Sequence, residues 1–345
     1  GGRGAARTAC GSRWASSRRS AAEVYRVLAV DGGGVRGVVP AVVLAELEAR
    51  SGRPVADLFD LVAATSTGAI LGLGLTCPGP DGRPAVTAQQ LVDRYRDDSR
   101  TIFSRSPWWR LRTANGFLGP KYDVSRLESR LQQALGTVPL SQALCEVLVT
   151  AYDLHARSPY FFTRSSVRDG TAPDVPMWLV ARCSSAAPTY FAAGRAPSRD
   201  GTRFLVDGGV MANNPALCAY AEVIGAMDAR VMVRDDLVLV SLGTGSATAS
   251  LAAARIRAGG TAVWARPLFE VVLDGQEDVV DHQLRDLMPP RRYYRFQADL
   301  PDPSEAIDVA TPEVLHALSD TARRLVEARS GELSQLATLL ATGRG

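Results

Sequence analysis

Lysine is almost missing from this chain: of 39 basic residues only Lys121 is one, and the three histidines, His155, His282 and His316, stand far apart. The arginine excess fits a bias in the coding sequence better than a recognition task, since 36 acidic residues bring the formal charge down to +3. Such a balance lacks the basic footprint of nucleic-acid binders, so no nucleic-acid polymer is expected as a partner. Cysteine is scarce too. Cys10, Cys77, Cys145, Cys183 and Cys218 are odd in number, widely spaced and form no CxxC pair, so neither a disulfide framework nor a metal site is expected. A reducing, cytoplasmic location fits that usage.

Long apolar runs are also absent. Leu61 to Leu75 is the longest, and Thr65, Ser66, Thr67 and three glycines interrupt it. That leaves it short of the roughly 18 residues a membrane span requires. Residues 1–22 hold Arg, Ala, Ser and Gly, without the apolar stretch of about 7–15 residues found in secretory signals. They read as a disordered N-terminal extension. What is present is ordinary for a folded protein: 345 residues, 46% hydrophobic and 22% charged, enough to bury a large core. No repeat or linker breaks the remainder, so residues 23–340 are expected to form one domain.

Along that domain the pattern alternates between strands and helices. Tyr25 to Val30 reads as a strand, Asp31 to Gly37 as a glycine turn, and the stretch to Arg50 as an amphipathic helix. A second unit follows, with a strand over Leu58 to Ala64, a turn at Thr65 to Thr67 and a helix from Gly68. Further strands are expected over Glu146 to Asp153, Tyr160 to Thr163, Phe204 to Asp207 and Leu237 to Leu242, and helices over Ser125 to Leu135, Met177 to Cys183 and Pro215 to Ala226. Thr311 to Leu340 opens on a good helix start, Thr311-Pro312-Glu313. This alternation predicts a layered α/β sheet. Residues 103 to 121 have no clear period but concentrate Trp108, Trp109 and Phe117.

Three strand-end turns could carry chemistry. Ala64-Thr65-Ser66-Thr67-Gly68 lies between a strand and a helix, where a nucleophile turn of the G-x-S-x-G kind exposes its serine on a sharp bend. The helix that follows aims its N-terminal amides at the serine. In Asp31-Gly32-Gly33-Gly34-Val35-Arg36-Gly37, successive glycines let backbone N–H groups converge on an anion, as an oxyanion hole requires. The same pattern matches dinucleotide binding, but that fold places an acidic residue at the end of the next strand, where this chain has Ser66. Arg36 either anchors the loop or holds a phosphate headgroup. Asp207-Gly208-Gly209, followed by Asn213-Asn214-Pro215, ends a strand on a carboxylate able to take a serine proton; alone it is ordinary turn chemistry. An anion nest, a serine and a carboxylate together supply every role in acyl transfer.

DGGGVRG, the near G-x-S-x-G in FDLVAATSTGAI, CSSAAPTYF at 183–191 and VDGGVMANNP at 206–215 resemble, in this order, the motif set of the patatin-like phospholipases, and a bacterial member of that family is expected. The resemblance runs from about Tyr25 to Gly245. It implies a three-layer α/β/α sandwich with a mixed central sheet. It also implies Ser66 as nucleophile, Asp207 alone as base, and the amides of Gly32, Gly33 and Gly34 as oxyanion hole. Arg36, Gly37, Ala64, Gly68, Gly208 and Gly209 support these motifs, although Ala64 and Ala69 stand where the family usually has glycine. The expected substrate is a phospholipid or other lipid ester, cleaved through an acyl-enzyme without metal or organic cofactor.

The partner is then a lipid, met during transient contact with a membrane surface by a cytoplasmic or peripheral protein. A cyclic-nucleotide activator, used by some bacterial members, has no residue here to speak for it. The tryptophans of 103–121, with Tyr190 and Phe191, either line an acyl channel, touch a bilayer or belong to the core. Two other readings remain open: a Ser-Asp-His esterase using Ser66, Asp207 and His282, and a non-catalytic lipid-binding protein, for which Ala64 is the hint.

Overall fold

The computed structural model describes residues 24–116, 118–226, 236–247, 267–300 and 306–342. Residues 1–22 and Phe117 therefore lie outside the described residues. The strands of the main sheet are β1 (Tyr25–Val30), β2 (Leu61–Ala64), β3 (Glu146–Asp153), β4 (Ser158–Thr163), β5 (Gly194–Ser198), β6 (Gly201–Asp207), β7 (Leu237–Leu242) and β8 (Tyr293–Phe296). Its longer helices are α1 (Val38–Ser51), α2 (Thr67–Thr76), α3 (Ala88–Ile102), a short α4 (Pro107–Arg112), α5 (Val124–Leu135), α6 (Met177–Ser184), α7 (Ala216–Ala226), α8 (Pro267–Leu287), α9 (Pro312–Ala328) and α10 (Ser330–Ala341).

The strand order is β5-β6-β3-β2-β1-β7-β8, with β4 paired to β3. β1 lies parallel to β2 and β7, and β2 to β3, whereas β4 and β6 run antiparallel to β3. The sheet is thus mixed, and helices cover both faces. Every residue of β1 and β7 is buried, which is why both segments read as near-continuous apolar runs. Along β1, Leu28 and Val30 face the core under α1, α2 and α9, while Tyr25, Val27 and Ala29 face the one under α7 and the end of α8. This three-layer α/β/α sandwich is the expected fold.

Three local expectations change. The strand read from Leu58 begins only at Leu61, because Val55–Leu58 closes a helical turn in which Phe59 N–H donates to the Val55 carbonyl. Asp60 then pins the strand entry by accepting from the Arg26 amide at 2.9 Å. The C-terminal helical stretch is two helices broken at Arg329. Residues 103–121 contain α4, started by Pro107 with Ser106 as its cap. Among the described residues no helix is long and apolar enough to cross a membrane.

The register on β3 positions the site. β2 pairs with Glu146–Val149 and β6 with Ala151–Asp153, while β4 occupies positions 148–153 on the other edge. β2 and β6 therefore share one edge of β3, run toward each other and stop with only Thr150 between their pairing positions.

A carboxylate outside the site ties α1 to the helical turn at Val55 and to the start of α3. Glu48 of α1 accepts from the amide of Val55 at 3.0 Å and from that of Ala88, the first residue of α3, at 2.8 Å. Val55 and Ala88 are both buried, so Glu48→Ala leaves two donors unpaired and is expected to cost about 2–4 kcal/mol. Urea denaturation of the variant should show a lower midpoint at unchanged slope, and a midpoint equal to wild type would contradict this role.

Candidate active site

Ser66 lies one residue beyond β2 and caps the start of α2 with φ 54° and ψ −119°, a positive-φ conformation outside the left-handed helical region that residues with a Cβ seldom adopt. Its neighbours over-determine it. The Ser66 amide donates to Ser184 Oγ at 2.8 Å, and its carbonyl accepts from Ala69 at 2.9 Å and Ile70 at 3.2 Å. Thr65, buried beside it, shares its hydroxyl with Thr150 and the Ala212 carbonyl, both at 2.7 Å. Gly68 has to be glycine, because a Cβ there would stand 2.3 Å from the Val30 carbonyl oxygen. Ala64 fits for the complementary reason: its methyl faces Gly72, whose own missing Cβ would lie 3.3 Å away.

Asp207 ends β6, so the two converging strands bring its carboxylate to the serine. Ser66 Oγ donates to Asp207 Oδ2 at 2.6 Å, and the Gly209 amide donates to Oδ1 at 2.8 Å. The carboxylate is 2% exposed. Burial pushes its pKa from 3.8 up to about 7, against the opposing pull of the hydrogen bonds from Ser66 and Gly209. Gly208 passes over Thr150, where a Cβ would lie 1.9 Å from the Thr150 hydroxyl oxygen.

The glycine turn lies against the same serine. The Gly32 amide is already engaged by the Asn213 carbonyl at 3.1 Å, which removes it from the expected oxyanion hole. The amides of Gly33 and Gly34 have no acceptor among the described residues, and both glycines line the cavity that contains Ser66 and Asp207. Gly34 has φ 58°, and a Cβ on it would strike the Ile307 carbonyl oxygen at 2.0 Å. The turn is clamped from all sides. Thr244 Oγ1 donates to the Gly32 carbonyl at 2.8 Å, Tyr95 to that of Gly34 at 3.0 Å, and the Val35 amide to that of Ile307 at 2.9 Å. Gly37 leaves room for the Tyr95 and Thr67 hydroxyls. Arg36 is buried and donates to the Gly245 carbonyl at 3.3 Å, away from the cavity lining, so its place in the structure is that of an anchor.

Beneath the turn lies a charged cluster that no local motif announces. Arg295 from β8 pairs with Asp31 at 2.7 Å and Glu277 at 3.5 Å and donates to Ser241 at 2.9 Å. Glu277 also accepts from Asn213 Nδ2 at 2.5 Å and Gln297 at 2.8 Å. Burial raises Asp31 to about 6 despite the Arg295 charge, and burial together with the Asp31 charge raises Glu277 to about 8. Both carboxylates hold Arg295 in its charged form. Asn213 was visible in the Asn-Asn-Pro run, but Glu277 and Arg295 come from remote elements and needed the fold to bring them together.

The cavity has a volume of about 110 Å³. Its wall is mainly apolar, with Ile70 and Leu71 from α2, Leu91 and Ile102 from α3, Leu127 and Leu131 from α5, and the rings of Phe103, Tyr190 and Phe191. Tyr190 and Phe191 thus belong to the cavity, whereas Trp108 stands in solvent. None of the three histidines lines it; His282 is 80% exposed beside Asp286 on α8.

A strained serine elbow, a buried carboxylate and a glycine nest over an apolar cavity, set in a mixed α/β/α sheet, define the class. The model of the family described as patatin-like phospholipase matches residues 28–220. Patatin-like protein 2 of Arabidopsis thaliana is 32% identical over 87% of this chain and 82% of its own length. Patatin-like protein 2 of Oryza sativa is 37% identical over 60% of this chain and 55% of its own, and Patatin-17 of Solanum cardiophyllum 33% identical over 65% and 61%. The chain belongs to the patatin-like phospholipase family. These relatives are plant proteins and lend no support to a bacterial subgroup. Among solved structures, human GIVD cytosolic phospholipase A2 superposes on 93% of this chain and 60% of its own with 12% identity and a TM-score of 0.44, too weak a likeness to carry an argument.

The raised pKa makes stability depend on pH. Below about pH 4 the Asp207 carboxyl is neutral in both the folded and unfolded chain; between 4 and 7 only the unfolded form ionises, so the folded state loses ground as pH rises. Asp207→Asn is therefore expected to gain stability relative to wild type from pH 4 to pH 7, by up to about 4 kcal/mol. Denaturant midpoints measured across that range test it; a difference that stays flat with pH would refute the raised pKa.

Proposed function

We propose that the chain is a lipid acyl hydrolase in which Ser66 is the nucleophile and Asp207 its only base. The 2.6 Å hydrogen bond from Ser66 Oγ to a buried carboxylate carries the reading. Asp207 takes the hydroxyl proton as Oγ adds to the ester carbonyl, and its raised pKa makes it a stronger base than an exposed aspartate. The developing oxyanion accepts hydrogen bonds from the Gly33 and Gly34 amides, aided by the positive end of α2. Collapse of the tetrahedral adduct breaks the ester C–O bond, and the departing alkoxide collects the proton held by Asp207. Water then adds to the acyl-enzyme, again giving its proton to Asp207, and the fatty acid leaves as Ser66 regains its own.

An apolar cavity next to the serine suits a fatty acyl chain, and family membership supports phospholipids or related lipid esters as substrates. Cleavage of the phospholipase A type follows, since the bond attacked is a carboxylic ester. Ala64 does not obstruct the elbow, which favours activity over a purely binding role. No observation favours His282 as base, given its exposure and its Asp286 neighbour.

Fatty-acid release from phospholipid vesicles and hydrolysis of 4-nitrophenyl butyrate should both fall at least about a thousandfold in Ser66→Ala and in Asp207→Asn. His282→Ala should stay within about twofold of wild type, because a solvated side chain has no part in the transition state. Loss of activity in His282→Ala would replace the dyad with a triad.

A further inference from the structure

The rim of the cavity carries apolar side chains exposed to solvent, concentrated on the aromatic segment between α3 and α5. The ring of Phe103, before the segment, packs edge to face against that of Tyr122, after it, at 5.3 Å, and Tyr122 stacks on Tyr190. Phe103 and Tyr190 both line the cavity, so residues 104–116 and 118–121 belong to an excursion whose stem is part of the cavity wall. The excursion is internally tied. Trp109 Nε1 donates to the Pro120 carbonyl at 3.3 Å and the Leu118 amide to that of Thr113 at 3.0 Å. Its outer side shows Trp108, Leu111 and Leu118, exposed by 63, 83 and 83%. The first turns of α8 extend the same rim: Phe269 and Leu273 line the cavity while Leu268 and Val272 are exposed.

Charge accompanies this surface. From Phe103 to Tyr122 there is no acidic residue, and Arg105, Arg110 and Arg112 are basic, while Lys121 is paired with Asp308 and the first turns of α8 carry Glu270 and Asp274. Arg110 and Arg112 are exposed, and the Arg112 guanidinium lies 5.2 Å from the Trp108 ring. A tied scaffold that shows tryptophan and leucine to water next to arginine gains nothing in solution. At a bilayer boundary the rings and leucines leave water while the cations meet phosphates.

We infer that residues 104–116 and 118–121, with Leu268 and Val272 of α8, are a docking surface for an anionic lipid bilayer, which seats the cavity rim on the membrane. The lipid partner rests on the function proposed above. The surface potential of an anionic leaflet complements the basic, acid-free segment, and a docked rim lets an acyl chain pass from bilayer to cavity without crossing water.

Co-sedimentation of the full chain carrying Ser66→Ala with vesicles tests this without catalysis. Binding should be tighter to phosphatidylcholine vesicles containing phosphatidylglycerol than to phosphatidylcholine alone. Trp108→Ser with Leu111→Ser should weaken it at least about tenfold on both. Arg110→Gln with Arg112→Gln should weaken it about thirtyfold on the anionic vesicles and little on the neutral ones. In the chain that retains Ser66, neither pair should change hydrolysis of soluble 4-nitrophenyl butyrate, and all these positions are exposed enough to leave the thermal midpoint in place. Vesicle binding that survives both pairs of substitutions overturns the inference, as does binding to polyglutamate but to no vesicle, which would make this a protein-docking surface. If vesicles bind as expected and no ester is cleaved, the hydrolase reading fails while the docking surface stands.

Discussion

Two strands reach Thr150 from opposite directions along one edge of β3, and the contact between Ser66 and Asp207 follows from that arrangement. Serine and aspartate have short side chains, so only backbone ends placed this close can bring them into a 2.6 Å hydrogen bond across 141 residues of sequence. The benefit is preorganisation. Few rotamers are lost in forming the pair, and the carboxylate sits where bulk water does not screen it. The glycines around it mark the same geometric demand: Gly68 passes the Val30 carbonyl and Gly208 passes Thr150 at distances no Cβ allows.

Preorganisation of the glycine turn has a different source. Asn213 takes the Gly32 N–H on its carbonyl, gives its side-chain amide to the Gly32 carbonyl at 3.3 Å and to Glu277, and so links the turn to the Arg295 cluster. Burying Arg295 between two carboxylates adds little to net stability, because desolvation offsets most of the attraction. Its effect is positional: Gly32 is held, and with it Gly33 and Gly34, which line the cavity. A cluster of this kind is intolerant of single changes, since removing Arg295 would leave two carboxylates buried against each other.

Much of this was legible in the sequence, for reasons specific to each element. β1 and β7 are central strands covered on both faces, so their apolar runs were unambiguous. The three turns stood out because glycine, serine and aspartate at strand ends serve few structural purposes together. What stayed hidden depended on long-range pairing. Nothing in β2 or β6 alone says that they meet head-on along β3, and nothing near Glu277 or Arg295 says that they underlie the turn. Gly32 was misjudged as a free donor for the same reason, the acceptor of its N–H being the carbonyl of Asn213, 181 residues away. The early start expected for β2 failed because Val55 to Leu58, apolar enough for a strand, closes a helical turn before Asp60 fixes the strand entry.

The proposed catalysis requires that Ser66 be activated by a carboxylate that titrates near neutrality. The most direct measurement is the rate at which an alkyl fluorophosphonate modifies the protein between pH 5 and 8.5, with the adduct located by peptide mass spectrometry. A single adduct on Ser66, formed at a rate that rises with an apparent pKa near 7, is the predicted result. An adduct elsewhere, or a Ser66 rate that is already level at pH 5, would contradict it.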